Sequence, residues 1–275
     1  MDFSLSALRS SVMLGLTLTV GILLMGCSEP RHLEQAGEQV SLPLSETQAP
    51  FGYHQHLPSA YRTDRSRRFP LLIFLHGSGE RGDGDVLLER VLRHGPPRVI
   101  EDDEWSPGRP VIVLSPQLDT TQDAWPVEKV DGLIDHAVET YRVDTTQIYL
   151  TGLSLGGHGT WNYAAAHPDR LAAAAPVCGD GRQLLERGRS YCDLSSLPLW
   201  AFHGADDPVV DPQGSIVPVQ RIVDCSPSPA AKLTLFPEVG HDSWSLVYDG
   251  SGQHAPQEKA PFNQSLYNWL LSHDR

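Results

Sequence analysis

Basic side chains are scarce: 21 lysines and arginines stand against 34 aspartates and glutamates in 275 residues, a formal net charge of −13. With no Lys/Arg block, binding to nucleic acid or anionic lipid through a basic surface is not expected, because it needs clustered phosphate-neutralising charge. The acidity reads as a solubility feature and says little about substrate beyond a mild bias against polyanions. Cysteines number only four, and no CxxC, HExxH or Cys/His cluster with zinc spacing occurs, so no metal site is indicated. Neither an internal repeat nor a second block of composition divides the chain. At 40% hydrophobic residues with 24 Gly and 22 Pro, disorder and collagen are excluded, and one large α/β domain suits the length as well as two small ones.

A long apolar run occurs only at the start. Residues 12–25, preceded by Arg9, are too short for a comfortable membrane span and fit the h-region of a secretory signal. The run ends in Leu24-Met25-Gly26-Cys27-Ser28, which resembles the lipobox of bacterial lipoproteins, where a small residue precedes a cysteine that is diacylated and becomes the new N-terminus. The resemblance implies a signal peptide at 1–26 and two or three acyl chains, such as palmitate, anchoring Cys27 to a membrane. Ser28 in place of Asp implies export to the outer membrane. Export permits disulfides among Cys178, Cys192 and Cys225, with one thiol left over; Cys192 with Cys225 is one pairing. Residues 28–50 are polar, carry Pro30, Pro43 and Pro50, and read as a tether behind the anchor, leaving 51–275 as the folded domain.

Within that domain short apolar runs at 71–75, 111–114, 148–150, 171–177, 198–202 and 233–236 read as buried strands. Helix-period segments lie between and after them. In 127–141, Val127, Val130, Leu133, Ile134, Ala137, Val138 and Tyr141 share one face, and 155–166 and 262–272 are the other strong helices. Such alternation implies βαβ units, hence a mostly parallel sheet with helices on both faces. His54 and His56 alternate on an early strand and read as surface histidines.

Gly152-Leu153-Ser154-Leu155-Gly156 has the G-x-S-x-G pattern of a nucleophile elbow, with a strand before it and a helix-forming run after it. The sharp turn has no room for side chains at its flanks, which is why glycines bracket the serine. It also points a helix N-terminus at the hydroxyl, favouring developing negative charge. A serine hydroxyl needs a base, and the base a carboxylate to orient it. Both follow in chain order: the loop His203-Gly204-Ala205-Asp206-Asp207-Pro208 after one strand, and Gly240-His241-Asp242 after the next. All three groups emerge at carboxyl ends of strands, where open α/β sheets build their sites.

Together with His76-Gly77-Ser78-Gly79-Glu80-Arg81-Gly82 and Ser115-Pro116-Gln117, these motifs resemble the carboxylesterase and dienelactone-hydrolase-like branch of the α/β-hydrolases, including the prolyl-oligopeptidase-like "predicted peptidase" group. The resemblance covers about residues 51–275 and implies the α/β-hydrolase fold and a serine esterase. It assigns Ser154 as nucleophile, His241 as base and the acid before proline, Asp207, with Asp206 as competitor; Asp242 reads as a structural carboxylate. It implies an oxyanion hole from the amide of Leu155 and one from Ser78 or Gly79. Trp125, Trp244 and Arg81 are candidate substrate contacts, with an Arg81–Glu80 ion pair the alternative, and His158 and Trp161 read as helix packing. The loops 79–110 and 179–196 are expected to shape the pocket. No metal or organic cofactor is required, and the expected partner is a small-molecule or polymer ester. Residues 77–82 also satisfy G-x-G-x-x-G, but Asp83 and Asp85 would set negative charge against a pyrophosphate, so no nucleotide is expected. The rival readings are a prolyl-oligopeptidase-like serine peptidase and a catalytically inactive, envelope-binding lipoprotein.

Overall fold

The structure, a computed structural model, describes residues 1–2, 31–184 and 188–275; the apolar run and Cys27 lie outside the described residues. In chain order its elements are β1 (Gln39–Leu42), β2 (Tyr53–His56), α1 (Ala60–Thr63), β3 (Phe69–Leu75), α2 (Gly95–Glu101), β4 (Ile112–Pro116), α3 (Val127–Thr140) and β5 (Val143–Leu153). Then follow α4 (Leu155–Ala166), β6 (Ala173–Val177), β7 (Trp200–Gly204), α5 (Gln213–Asp224), β8 (Lys232–Phe236), α6 (Trp244–Tyr248), β9 (Glu258–Lys259) and α7 (Leu266–Leu270). The strands form one sheet in the order β1-β2-β4-β3-β5-β6-β7-β8-β9. From β4 through β8 neighbours run parallel, while β1, β2 and β9 are antiparallel additions at the edges.

The period-2 alternation of side chains explains the two cores. In β3, Leu71, Ile73 and Leu75 face a layer holding Leu133 and Ile134 of α3, Tyr163 and Ala164 of α4 and Ile222 of α5. Leu72 and Phe74 face the opposite layer, with Val247 of α6 and Leu266, Trp269 and Leu270 of α7. Every strand from β3 to β8 therefore carries apolar residues on both faces, and each expected run lies on a strand with its bounds shifted: β5 is far longer than 148–150, while β6 starts only at Ala173 and β7 at Trp200. Among the described residues no helix is long and apolar enough to cross a membrane.

Three expectations are corrected here. The stretch 28–50 is not wholly a tether: β1 pairs with β2 from Gln39↔His56 to Leu42↔Tyr53, and Leu42 and Ala49 are buried. Spaced prolines conceal a strand only four residues long. His54 and His56 are buried, because β2 lies between β1 and β4 rather than at the surface; His54 Nε2 meets the Leu88 carbonyl at 3.1 Å, and burial holds both imidazoles below the ordinary histidine pKa. The helix at 262–272 contracts to α7, because the Ser265 hydroxyl accepts the Asn268 amide and fixes the start. Cys192 and Cys225 form a disulfide, and Cys178 is free and buried.

Candidate active site

β5 ends at Leu153, and Ser154 takes φ 51° and ψ −114° before α4 begins at Leu155. A non-glycine residue at positive φ is strained, and the surroundings hold it there. The Ser154 amide donates to the Val177 carbonyl of β6 at 2.9 Å. Close packing dictates the bracketing glycines: a Cβ on Gly152 would lie 2.5 Å from the Gly156 carbonyl oxygen, and one on Gly156 only 1.9 Å from that of Leu75. As the first residue of α4, Leu155 has an amide with no partner inside the helix.

His241, in the loop after β8, places Nε2 2.9 Å from Ser154 Oγ and Nδ1 2.7 Å from Asp207 Oδ2. Asp207, in the loop after β7, is buried. Its Oδ1 accepts the amides of Val209 (2.8 Å) and Val210 (3.0 Å), which turns Oδ2 toward His241. Burial pushes the Asp207 carboxyl up, but the hydrogen bond from His241 and the two amides outweigh it and hold its pKa below the ordinary carboxylate value. Asp206 is exposed, with its amide on the Val239 carbonyl, and its side chain has no part in this line. Asp242 is exposed as well; it accepts from the Ser245 amide and hydroxyl at the start of α6.

His203 was visible in the sequence as the first residue of the Asp207 loop, yet nothing in the pattern gave it a role. It lies buried with Nε2 3.0 Å from the Val210 carbonyl and 3.2 Å from Asp207 Oδ2, and Nδ1 2.8 Å from Ser215 Oγ. A carbonyl can only accept, so Nε2 carries the proton and Nδ1 accepts from the serine. Burial keeps this imidazole's pKa low, so it serves as a neutral strut on the far side of the carboxylate.

The turn after β3 reaches the same point. A Cβ on Gly77 would stand 3.6 Å from Ser154 Cβ, and Ser78 and Gly79 follow in an exposed 3₁₀ turn. Buried polar groups hold the turn. Glu80 Oε2 accepts the Gly77 amide at 3.0 Å, and Gln117 Nε2 donates to the Glu80 carbonyl at 3.0 Å. The Leu118 amide donates to His76 Nε2 at 2.9 Å, while Trp125 Nε1 donates to the His76 carbonyl at 3.2 Å. Burial drives His76 down to a pKa of about 4.

The candidate substrate residues separate. Trp125 is buried against Phe51 and His76 and is packing, not a pocket wall. Arg81 pairs with Asp123 at 3.3 Å and donates to the Ser78 and Gln122 carbonyls, so the Arg81–Glu80 ion pair is not formed. Glu80 is turned inward, with His94 Nε2 3.9 Å from its Oε1. Trp244 is half-buried with its ring edge-on to His241, centroids 5.2 Å apart, and its other neighbour is His94 at 5.5 Å. Beyond Trp244 opens a cavity of about 260 Å³ lined by His94, Arg98, Asp102, Tyr248 and Asp249. Its lining stops at Trp244 and does not include Ser154. Trp161 is buried in the core and His158 Nδ1 meets the Ser154 carbonyl at 2.8 Å, as helix packing requires. Cys178, beside the elbow, has its thiol pushed far up by burial and is no competing nucleophile.

No protein-family model matches the chain. A bifunctional acetylxylan esterase/xylanase of Neocallimastix patriciarum is 27% identical over 153 residues, which is 52% of this chain and 20% of that protein. Among solved structures, a thermostable esterase superposes with a TM-score of 0.63 and 26% identity over 86% of this chain and 63% of its own. The chain thus spans less than two thirds of the length of either relative. An acetyl xylan esterase from Aspergillus awamori superposes at 0.53 over 78% of this chain and 99% of its own; at 14% identity that likeness concerns the fold alone.

Proposed function

We propose that this chain, an α/β-hydrolase by its fold, is a serine hydrolase that cleaves carboxylic esters through a covalent acyl-enzyme. The observation that carries the reading is the unbroken line from Ser154 Oγ through His241 to Asp207, at 2.9 and 2.7 Å. Ser154 attacks the ester carbonyl as His241 Nε2 takes its proton, and the negative charge on Asp207 stabilises the imidazolium that results. The oxyanion meets the Leu155 amide and one from the Ser78–Gly79 turn, held by Glu80 and Gln117. Collapse of the tetrahedral intermediate breaks the bond to the alkoxy oxygen, which leaves as alcohol with the proton from His241. Water then attacks the acyl-Ser154 ester, giving its proton to His241, and the acid departs as Ser154 Oγ recovers a proton.

An ester is preferred to a peptide because its leaving group demands less of the acid. The esterase names of the relatives support the same choice and make acetyl and other short acyl groups, on small alcohols or on polysaccharide, the first substrates to assay. The reading extends to place: Cys27 carries the acyl anchor, and the domain sits at the bacterial outer membrane. The Cys192–Cys225 disulfide supports an oxidising compartment.

The test is labelling by a fluorophosphonate probe together with turnover of p-nitrophenyl acetate and butyrate. Both are expected in the wild-type chain and lost in Ser154→Ala. Equal turnover of a peptidyl anilide, also lost in Ser154→Ala, would replace the ester with a peptide. Absence of labelling would replace the enzyme with a binding protein.

A further inference from the structure

The net charge hides a local reversal. Arg62, Arg65, Arg67 and Arg68 are all exposed in the segment between Tyr61 and the start of β3, in a chain of net charge −13. Arg142 joins them with its guanidinium 3.7 Å above the Tyr61 ring, and Arg67 lies 5.1 Å from the Phe69 ring centre. Arg68 donates to the Val143 carbonyl at 3.1 Å. A cavity of about 320 Å³ at this face is lined by Tyr61, Arg62, Arg65 and Arg142 together with Leu33 and Glu34. Beside Arg65, four guanidinium groups thus stand on a face whose cavity lining includes the Glu34 carboxylate, with Asp64 next in the chain.

Two placements give this face its meaning. First, it lies at the opposite end of the sheet from the site. β3 begins beside the arginines, pairs Phe69 with Val143 and ends pairing Leu75 with Gly152, two residues before Ser154. Seven residues of strand put about 20 Å between the two. Second, the chain enters the fold here. The His32 carbonyl accepts from Gln55 Nε2 at 2.7 Å and Leu33 packs on the core, so the path is fixed from residue 32 onward. Cys27 precedes His32 by five residues, at most about 18 Å of extended chain. An anchor that short cannot hold the domain clear of a bilayer, and the surface brought against the headgroups is the one where the chain enters.

We propose that the arginine-rich face ahead of β3 docks on an anionic phospholipid surface, so that Ser154 faces away from the membrane and acts on substrates arriving from the aqueous side. This rests on the lipid attachment at Cys27 proposed above. Anionic headgroups fit better than a nucleic acid or another polyanion, because the patch is coupled by a few residues to the anchor and attraction acts only within a Debye length of the surface.

The full chain, extracted from membranes and reconstituted in vesicles of phosphatidylcholine alone or with about 30% phosphatidylglycerol, is treated with phenylglyoxal and its arginines followed by peptide mass spectrometry. Arg62, Arg65, Arg67 and Arg68 are expected to react at least about fivefold more slowly on the anionic vesicles, since one arginine at such a surface is worth roughly that factor. The protection is expected to vanish at about 0.5 M salt. A chain in which Arg62, Arg65 and Arg67 are all replaced by Gln should still float with the vesicles and hydrolyse soluble ester as before, yet show no lipid-dependent protection of Arg68. Should that variant fail to fold, the wild-type comparison of lipid and salt decides alone. Equal modification on both vesicles, with the chain floating on both, overturns the docking. A wild-type chain that floats with neither overturns the anchor. Protection by a soluble polyanion but not by anionic vesicles overturns the choice of partner.

Discussion

Replacing Asp207 by Asn tests the site more sharply than removing the nucleophile, because the structure fixes which way the new amide will point. Asp207 Oδ1 is held by the Val209 and Val210 amides, so an Asn keeps its oxygen there and presents its NH₂ where Oδ2 now lies, 2.7 Å from His241 Nδ1 and 3.2 Å from His203 Nε2. The NH₂ can only donate, and the His203 Nε2 proton, which cannot be shared with it, stays on the Val210 carbonyl. Nδ1 must then become the acceptor, which moves the imidazole proton to Nε2, where it faces Ser154 Oγ instead of receiving its proton. The wrong tautomer and the lost stabilisation of the imidazolium are expected to lower kcat by roughly 10³ to 10⁴, equivalent to about 4 to 5.5 kcal/mol in the barrier. KM should change little, because Asp207 touches no substrate. On p-nitrophenyl acetate, Asp207→Asn should retain slow fluorophosphonate labelling and an unchanged circular dichroism spectrum, while Asp206→Asn should stay within about twofold of wild type, as for an exposed group outside the line. Activity of Asp207→Asn within tenfold of wild type, or an equal loss in Asp206→Asn, would refute the assignment.

Two further outcomes are expected. His76, buried with its pKa lowered to about 4 from 6.5, binds a proton more readily in the unfolded chain, so its contribution to stability is complete above pH 6.5 and is lost as pH falls toward 4. Between pH 7 and pH 5 the loss should be about 2 kcal/mol. Urea unfolding of wild type and His76→Gln at both pH values measures it, and an identical pH dependence in the two would contradict it. The two tryptophans should also part company. Trp125→Ala should cost about 3 to 5 kcal/mol of stability, whereas Trp244→Ala should leave the melting temperature nearly unchanged and alter KM with acyl chain length by joining the 260 Å³ cavity to the site. The reverse pattern would mean that the Trp244 ring is structural.

What the sequence made legible follows from the range of the interactions involved. The elbow is local: Gly152, Ser154 and Gly156 constrain one turn, so their spacing announces it. The proline after Asp207 and the order of strands sufficed to bring the acid and the base to the same end of the sheet. Residues whose partners are distant were not legible. Trp125 and Trp244 look alike in a loop, and only the carbonyl of His76 or the ring of His94, each far away in the chain, tells packing from pocket. His203 acquires its part from Ser215 and Val210, and Arg81 chose Asp123 over its neighbour Glu80 because that carboxylate faces inward to the Gly77 amide. The expectation that the chain has no Lys/Arg block does not hold at Arg62, Arg65, Arg67 and Arg68, four arginines within seven residues that the net charge of −13 masks.

The edge strand β1 has a mechanical meaning. It has only β2 as a sheet partner, through four residue pairs, and it stands closer to the chain's N-terminal end than any strand that bears on Ser154, His241 or Asp207. A pull on the N-terminus therefore loads the His32–Gln55 hydrogen bond and then β1, and strain has to pass through β2, β4 and β3 before it reaches β5. Fraying there releases residues at the N-terminal edge while the parallel strands keep their register, so the span of the N-terminal segment varies independently of the geometry at the serine.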